Sequence, residues 1–390
     1  MAFNIQLYKE VTQVTTAQDT ALGIMKWGLN NAFPQTLKNL IEQSPCAKPA
    51  VGRTAKFYKG AGFEGEDEIV NPYGLTLKKV VSMIADDYAG FEAFCIHCNY
   101  NIKGEVTSML PISIEDARFN EFDELNYASK IGYHPDFGGN SEVQKTVTSN
   151  VTRGKIKWIN RFNPETVIEQ IEKTRGKISN YQGQALYYSE AGHSSYPISP
   201  LQAPINYLLS DIENSILVRK ETSTGFLNSY LLKTTLAATD PNLIALEEAI
   251  AQAQGARGTG KVITMSGLAP EDMENTVLEE IGAGAKGSGA AIDAATKAFN
   301  LAQKVINAAY LIPPILSGAD QKTGFSSADL KEAYFVFNAT TQIGRDIIES
   351  EINRILKVSI FKTKSIKINK LRLDETEISD NNSVIPPANV

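Results

Sequence analysis

Cys95-Ile96-His97-Cys98 is the segment of this chain whose residue types come nearest to a metal-binding spacing. A tetrahedral zinc site needs about four thiolate or imidazole ligands, usually from two such pairs. The one other cysteine is Cys46, and His134 and His193 lie at no ligand spacing. The segment alternates as a strand does, so its two cysteines point to opposite faces. A haem-attachment sequence would place histidine at 99, where Asn99 stands, and a thioredoxin-type pair would open a helix. The expectation is ordinary thiols and no metal.

Gly255-Ala-Arg-Gly-Thr-Gly260-Lys261 matches the first seven positions of a phosphate-cradling loop. The hydroxyl that should hold magnesium is replaced by Val262, and the element order is inverted, with a helix before the loop and a strand after it. A connecting turn is the expectation; a nucleotide-binding enzyme using 255–261 is the rival reading, and ATP binding by the purified chain would favour it. Gly287-Ser288-Gly289 is too short for a nucleophile elbow. Asp86-Asp87 and Glu279-Glu280 are adjacent pairs that read as solvated surface rather than as a catalytic dyad. No catalytic residue, cofactor or enzymatic activity is expected.

Bulk properties narrow the classes further. The chain has 390 residues, 43% hydrophobic and 21% charged, which suits two or three globular cores. With 38 basic against 44 acidic residues the net charge is -6. Tight phosphate neutralisation calls for a basic excess, so gripping DNA is disfavoured and sliding contact is not. Three cysteines suit a reducing compartment. No signal peptide or bilayer-spanning run is visible, so a soluble intracellular product without a membrane partner is expected.

The elements that must position any site fall into two textures. The first half reads as mixed α/β. A strand-like opening at 3–11 precedes a helix beyond Pro34, a second helix over 49–58 capped by Gly60, and a third over 75–88. A hairpin then pairs 91–100 with 106–114. Residues 130–152 are polar and read as a long loop or insertion, with strands resuming at 155–162 and at 177–188, the latter interrupted at Gly183. In the second half, 201–222 is helical, a small α/β unit spans 224–289, and 290–311 is a strong helix about 33 Å long, ended by Pro313-Pro314. That small unit carries strands at 225–232, 261–265 and 276–281 and a helix at 240–254. A loop at 317–327, one long helix at 327–357, a strand pair near 359–373 and a flexible tail follow.

Two helices bracketing a small α/β insert, together with several short segments, resemble the portal proteins of tailed bacteriophages, the head–tail connectors of the HK97 and SPP1 type. Trp27-Gly-Leu-Asn-Asn-Ala-Phe-Pro34 is similar to the family's opening segment, and Ala55-Lys-Phe-Tyr-Lys-Gly60-Ala-Gly-Phe63 to its G-x-G-F step. Tyr196-Pro-Ile-Ser-Pro-Leu201 resembles the lead into a stem helix, with Pro197 where glycine is common. Tyr310-Leu-Ile-Pro-Pro-Ile-Leu-Ser-Gly318 resembles the P-P-x-L-x-G segment, and Phe325-Ser-Ser-Ala the small-residue start of the helix after it.

The resemblance implies an α+β portal fold. Its parts would be an α/β wing (1–200), stem helices at 201–222 and 290–312 around a small α/β clip (223–289), and a tunnel loop (313–327). A wing helix with C-terminal strands (328–373) and a flexible tail (374–390) would complete it, with the crown reduced or absent. It implies a homo-oligomeric ring, usually a dodecamer, at one capsid vertex of the virion. The implied partners are the major capsid protein, the terminase large subunit, a head–tail adaptor and transiently bound double-stranded DNA. Ser317, Asp320, Gln321, Lys322, Thr323, Gly324 and Phe325 would form the tunnel loop, while Lys297 and Lys304, seven apart and so on one face of the second stem helix, would form channel-facing basic rings, with a plain solvated helix face as the alternative. Twelve copies at -6 sum to about -72, a field that decays over roughly 8 Å at cellular salt and acts as a short-range lubricant.

Overall fold

A computed structural model describes residues 16–28, 31–135, 137, 153–192, 196–224, 229–233, 241, 277–281, 288–318 and 327–372. The chain divides into two compact units, one of residues 1–208 with 304–390, the other of 209–303.

The first unit is built on a six-stranded sheet. Its strands are β3 (Ala93–Tyr100), β4 (Val106–Ile112), β5 (Ala117–Phe119), β6 (Lys130–Tyr133), β7 (Lys157–Arg161) and β8 (Gln184–Ser189), in the order β4-β3-β8-β7-β6-β5. Neighbours are antiparallel except β7 and β8. Ahead of the sheet come a hairpin of β1 (Thr16–Asp19) and β2 (Ile24–Trp27) and three helices, α1 (Phe33–Gln43), α2 (Ala47–Lys59) and α3 (Leu77–Phe91). Pro34 sits in the first turn of α1, Gly60 caps α2 at φ 61, and the Thr76 hydroxyl accepts the Lys79 N–H at the start of α3. These are the termini that the residue types specify.

Every third or fourth residue of α3 (Leu77, Val80, Val81, Ile84, Tyr88) joins Phe94, Ile96, Cys98 and Tyr100 of β3 in the main core. The same core takes in Ile348, Ile352, Ile355 and Leu356 of the last helix. Each edge of the sheet carries one isolated bridge: Ile24 pairs with Asn120 beside β5, and Val106 of β4 with Ser359.

Four expectations are corrected. The 327–357 helix is two, α8 (Ser327–Thr340) and α9 (Gln342–Lys357), broken at Thr341. The fully buried Arg345 causes the break: it donates to the carbonyls of Asn338 (2.6 Å) and Phe57 (2.9 Å), while the Thr341 hydroxyl bonds back to Phe337 O (2.8 Å). A carbonyl captured by a guanidinium is lost to the helical ladder. The strand pair near 359–373 is absent among the described residues. That segment alternates, but its backbone is held by side chains: Glu68 accepts the N–H of Lys362 and Thr363, Asn353 exchanges two bonds with Ile366, and Glu349 accepts the Ile368 N–H. Within the expected 130–152 loop, Lys130–Tyr133 is a strand whose alternation is hidden by Gly132, where a Cβ would meet Ile156 at 2.9 Å. Residues 177–183 are not strand; β8 starts only after Gly183 (φ 73). A short helix, α4 (Val167–Lys173), and the β1–β2 hairpin have no counterpart among the sequence expectations.

Where α2 and α9 cross, a Cβ on Gly344 would lie 2.4 Å from Tyr58 Cε1, whereas one on Gly52 would meet nothing within 4 Å. Gly344→Ala is expected to cost about 1–3 kcal/mol through overpacking, and Gly52→Ala to be neutral or stabilising by up to about 1 kcal/mol. Urea-unfolding midpoints of the two variants check the contrast.

The second unit holds most of α5 (Ile205–Thr224), the antiparallel pair β9 (Ser229–Lys233) and β10 (Val277–Ile281), and most of α6 (Ser288–Ala309). The expected strand at 261–265, most of the helix at 240–254 and the glycine-rich 255–261 segment lie outside the described residues, as do the 3–11 opening and the tail beyond 372. No described helix is long and apolar enough to cross a membrane.

Candidate nucleic-acid interface

Along α6, Ala295, Ala302 and Ile306 are buried while Lys297 and Lys304 are not. The 3.6-residue period explains the division, since a step of two residues turns the helix about 200° and a step of seven returns it. The two lysines therefore share the solvent face opposite the buried alanines.

The end of α6 is formed differently from the expected proline stop. The Ile312 N–H bonds to Asn307 O (3.0 Å) and the Leu311 N–H to Ala308 O (3.0 Å), with Leu311 at φ 51. This is a Schellman closure that terminates the helix before the prolines. Pro314 instead opens a single turn, α7 (Pro314–Ser317), capped by Gly318 at φ 70. Ser317 donates to Pro314 O at 2.7 Å and marks the start of the expected tunnel loop. Asp320, Gln321, Lys322, Thr323, Gly324 and Phe325 lie outside the described residues.

The lead into α5 and the exit from α6 are anchored to one point of the first unit, the C-terminal end of α3. Tyr310 donates to Ala89 O (2.9 Å), and Ser199 donates to Gly90 O (2.6 Å) while accepting the Leu201 N–H. The Tyr196 ring stacks on Trp27 at 4.5 Å and 5°, and its hydroxyl donates to Met25 O and accepts the Phe119 N–H. Segments 27–34, 196–201 and 310–318, far apart in sequence, thus meet on one set of aromatic and backbone contacts. Burial pushes the Tyr196 phenol up, so its proton stays in place. Tyr196→Phe is expected to lose about 1–2 kcal/mol, because Phe119 N–H and Met25 O lose their partner together; thermal denaturation against wild type measures it.

The Cys-Ile-His-Cys segment lies in β3 with both thiols buried, and burial pushes their ionisation up, which suits inert thiols. His97 is held by a 2.7 Å contact between its Nε2 and Gln182 O. His134 lies against Phe137, ring centroids 5.8 Å apart; His193 lies outside the described residues. No group of three or more His, Cys, Asp or Glu that could hold a metal occurs among the described residues. The expectation for Asp86-Asp87 needs correction. Asp86 is exposed and paired with Lys59 (2.7 Å), but Asp87 points inward toward the Ile114 N–H (3.4 Å), and desolvation raises its carboxyl to about 7. Adjacent helical residues lie 100° apart, so one can be solvated while the next is not.

No family model and no curated protein matches the sequence. Solved structures do match the fold. A chain in the virion of a native gene transfer agent particle is similar over 91% of this chain and 92% of its own, with 12% identity and a TM-score of 0.50. A chain in the neck of the empty particle, computed with six-fold symmetry, gives 11% identity, the same coverage and 0.50. An HK97-family phage portal protein from Corynebacterium diphtheriae covers 90% of this chain and 98% of its own at 11% identity and 0.44. The chain shares its fold with these virion and neck chains of the gene transfer agent particle. At 11–12% identity this likeness is one of architecture. Within that fold, α5 and α6 bracket the small β9–β10 unit along the chain.

Proposed function

We propose that the chain is the subunit of a closed ring at one vertex of a virion, enclosing a channel through which double-stranded DNA is packaged and ejected. The observation that carries this reading is the likeness of fold to a virion-neck chain over nine-tenths of both chains. In this reading residues 1–200 and 328–373 form the wing, 201–222 and 290–312 the stem helices, 223–289 the clip and 313–327 the tunnel loop. The clip docks the terminase large subunit during packaging and the head–tail adaptor afterwards, and the wing meets the major capsid protein. ATP hydrolysis belongs to the terminase, and no catalytic step or cofactor is assigned to this chain. Twelve copies are the expected number.

DNA slides because the wall is acidic or mixed, with Lys297 and Lys304 as sparse cationic rings on the solvent face of the stem. Sparse lysines attract phosphate without locking it, since each neutralised phosphate adds to a salt-sensitive affinity. Lys297→Glu with Lys304→Glu is expected to lower packaged DNA per particle severalfold; unchanged packaging sinks the assignment of these two residues. The loop is tested by photocrosslinking through Lys322→Cys in filled heads. The ring itself is tested by negative-stain images of the purified chain, which should show a central hole. Compact single copies under assembly-permissive conditions would overturn the reading.

A further inference from the structure

The last described stretch of the first unit departs from the charge balance of the whole chain. Against a net charge of -6, residues 357–372 contain six cations (Lys357, Lys362, Lys364, Lys367, Lys370 and Arg372) and no acid. All six are exposed, while Phe361, Ile366 and Ile368 between them are buried. From Thr363 to Arg372 the backbone makes no turn or bend, so successive cations from Lys364 onward have Cα atoms at most about 11 Å apart. About three phosphates of one duplex strand cover that distance along the helix axis.

Hydrogen bonds fix this row in place. Asn353 exchanges two with Ile366, the Asn369 N–H donates to Gly62 O, Asn369 O accepts the Ala61 N–H, and Asn338 Nδ2 donates to Leu371 O. A segment already ordered loses little entropy when a ligand arrives. The carboxylates that reach it do not pair with its cations. Glu68 accepts the backbone N–H of Lys362 and of Thr363, and Glu349 that of Ile368, so their charges act on Lys362 and Lys367 at longer range. No ion pair among the described residues includes any of the six cations, and the Lys364 ammonium donates to Ser359 O. The composition selects the partner. Protein interfaces favour aromatic anchors and are depleted in lysine. The exposed residues of 362–372 are lysine, arginine, serine and asparagine alone, a set suited to phosphate contacts.

We propose that residues 362–372 bind the phosphodiester backbone of a nucleic acid without sequence preference, with Lys367, Lys370 and Arg372 contacting phosphates. The site is separate from Lys297 and Lys304. One copy of the chain suffices, so the inference does not depend on the ring reading.

The test is fluorescence anisotropy of a labelled random-sequence DNA duplex with the full-length chain over a salt series. Lys367→Gln, Lys370→Gln and Arg372→Gln combined should weaken binding about tenfold or more near about 0.1 M salt and lower the salt slope by about three. Each replacement alone should lower the slope by about one. A control with the same change in charge, Lys48→Gln, Lys78→Gln and Lys173→Gln, removes lysines already paired with Glu42, Glu66 and Glu169. It should leave the affinity within about twofold. An unchanged slope in the first triple variant overturns the proposal, and so does an equal loss in the control, because net charge would then account for it. A wild-type chain that binds no duplex overturns it too. If polyglutamate displaces the duplex as readily as unlabelled DNA does, the partner is an acidic peptide and the proposal fails. The acids that follow in sequence, Asp374, Glu375, Glu377 and Asp380, supply the remaining outcome. Duplex binding through 367–372 that appears only after Asp374→Asn, Glu375→Gln, Glu377→Gln and Asp380→Asn would make the chain's own tail the occupant, against the proposal.

Discussion

Arg118→Ala is expected to lower the stability of the first unit by about 3–5 kcal/mol, because it removes a large buried side chain and four hydrogen bonds together. The side chain is fully buried, and its guanidinium ties two distant stretches together. Its Nε donates to Asn31 Oδ1 (2.5 Å), Nη2 to Asn31 O (2.9 Å), and Nη1 to Glu115 O and Ala117 O (2.8 Å each). It also lies 5.8 Å from the Trp27 ring and 5.3 Å from that of Phe137. Truncation leaves a cavity together with buried carbonyls that have lost their donor. Asn31, held at φ 58 and accepting the Trp27 N–H, would lose the group that fixes it just before α1. Because Trp27 stacks on Tyr196, the damage should reach the segment leading into α5. Arg118→Lys keeps the charge but not the planar fork, and should recover only a minor part. Urea unfolding followed by circular dichroism measures both; a loss below about 1 kcal/mol for the alanine variant would refute the anchoring role of the guanidinium.

The second large effect is pH-dependent and belongs to Asp87. Desolvation raises its folded pKa to about 7 from an ordinary 3.8; the Ile114 N–H and Lys38 pull the other way, and Glu115 and Asp86 add to the rise. Lys38 is shared, since it also pairs with Glu115 at 2.5 Å. Below about 3.8 the carboxyl is protonated in both states and costs nothing. Between that value and about 7 the folded chain holds a proton that the unfolded chain has released, so stability falls as pH climbs through this window. Above about 7 the penalty is complete, with a ceiling of about 4 kcal/mol that partial solvent access reduces. Asp87→Asn should therefore raise the melting temperature clearly at about pH 8 and barely at about pH 4.5. Equal shifts at both pH values would mean that the carboxyl is not responsible.

These two residues also mark where local patterns stop being informative. Arg118 carries no signal in the sequence, because an arginine between Ala117 and Phe119 is indistinguishable from a surface charge until Asn31, 87 residues away, is brought to it. Asp87 reads with Asp86 as solvated surface, whereas the 100° between neighbours on a helix separates them. By contrast, α1, α2, α3 and the β3–β4 hairpin are legible because each is specified by its own period and its own terminal proline, threonine or glycine, and α5 and α6 are legible from the spacing of their apolar residues. The false elements, a single helix at 327–357 and a strand pair near 359–373, have plausible local patterns. They fail because Arg345, Glu68, Asn353 and Glu349, distant in sequence or across a turn, take the backbone groups those patterns needed.

Sequence alone therefore determined the local elements, the bracketing of a small unit by two helices, and the likeness of scattered short segments to a portal. All three depend on residues within one or two turns of each other, or on their order along the chain. Tertiary structure decided that segments 27–34, 196–201 and 310–318 converge on the end of α3 and that Lys297 and Lys304 face outward. Burial and hydrogen bonding between distant residues set these features, and no local pattern encodes which distant group will arrive.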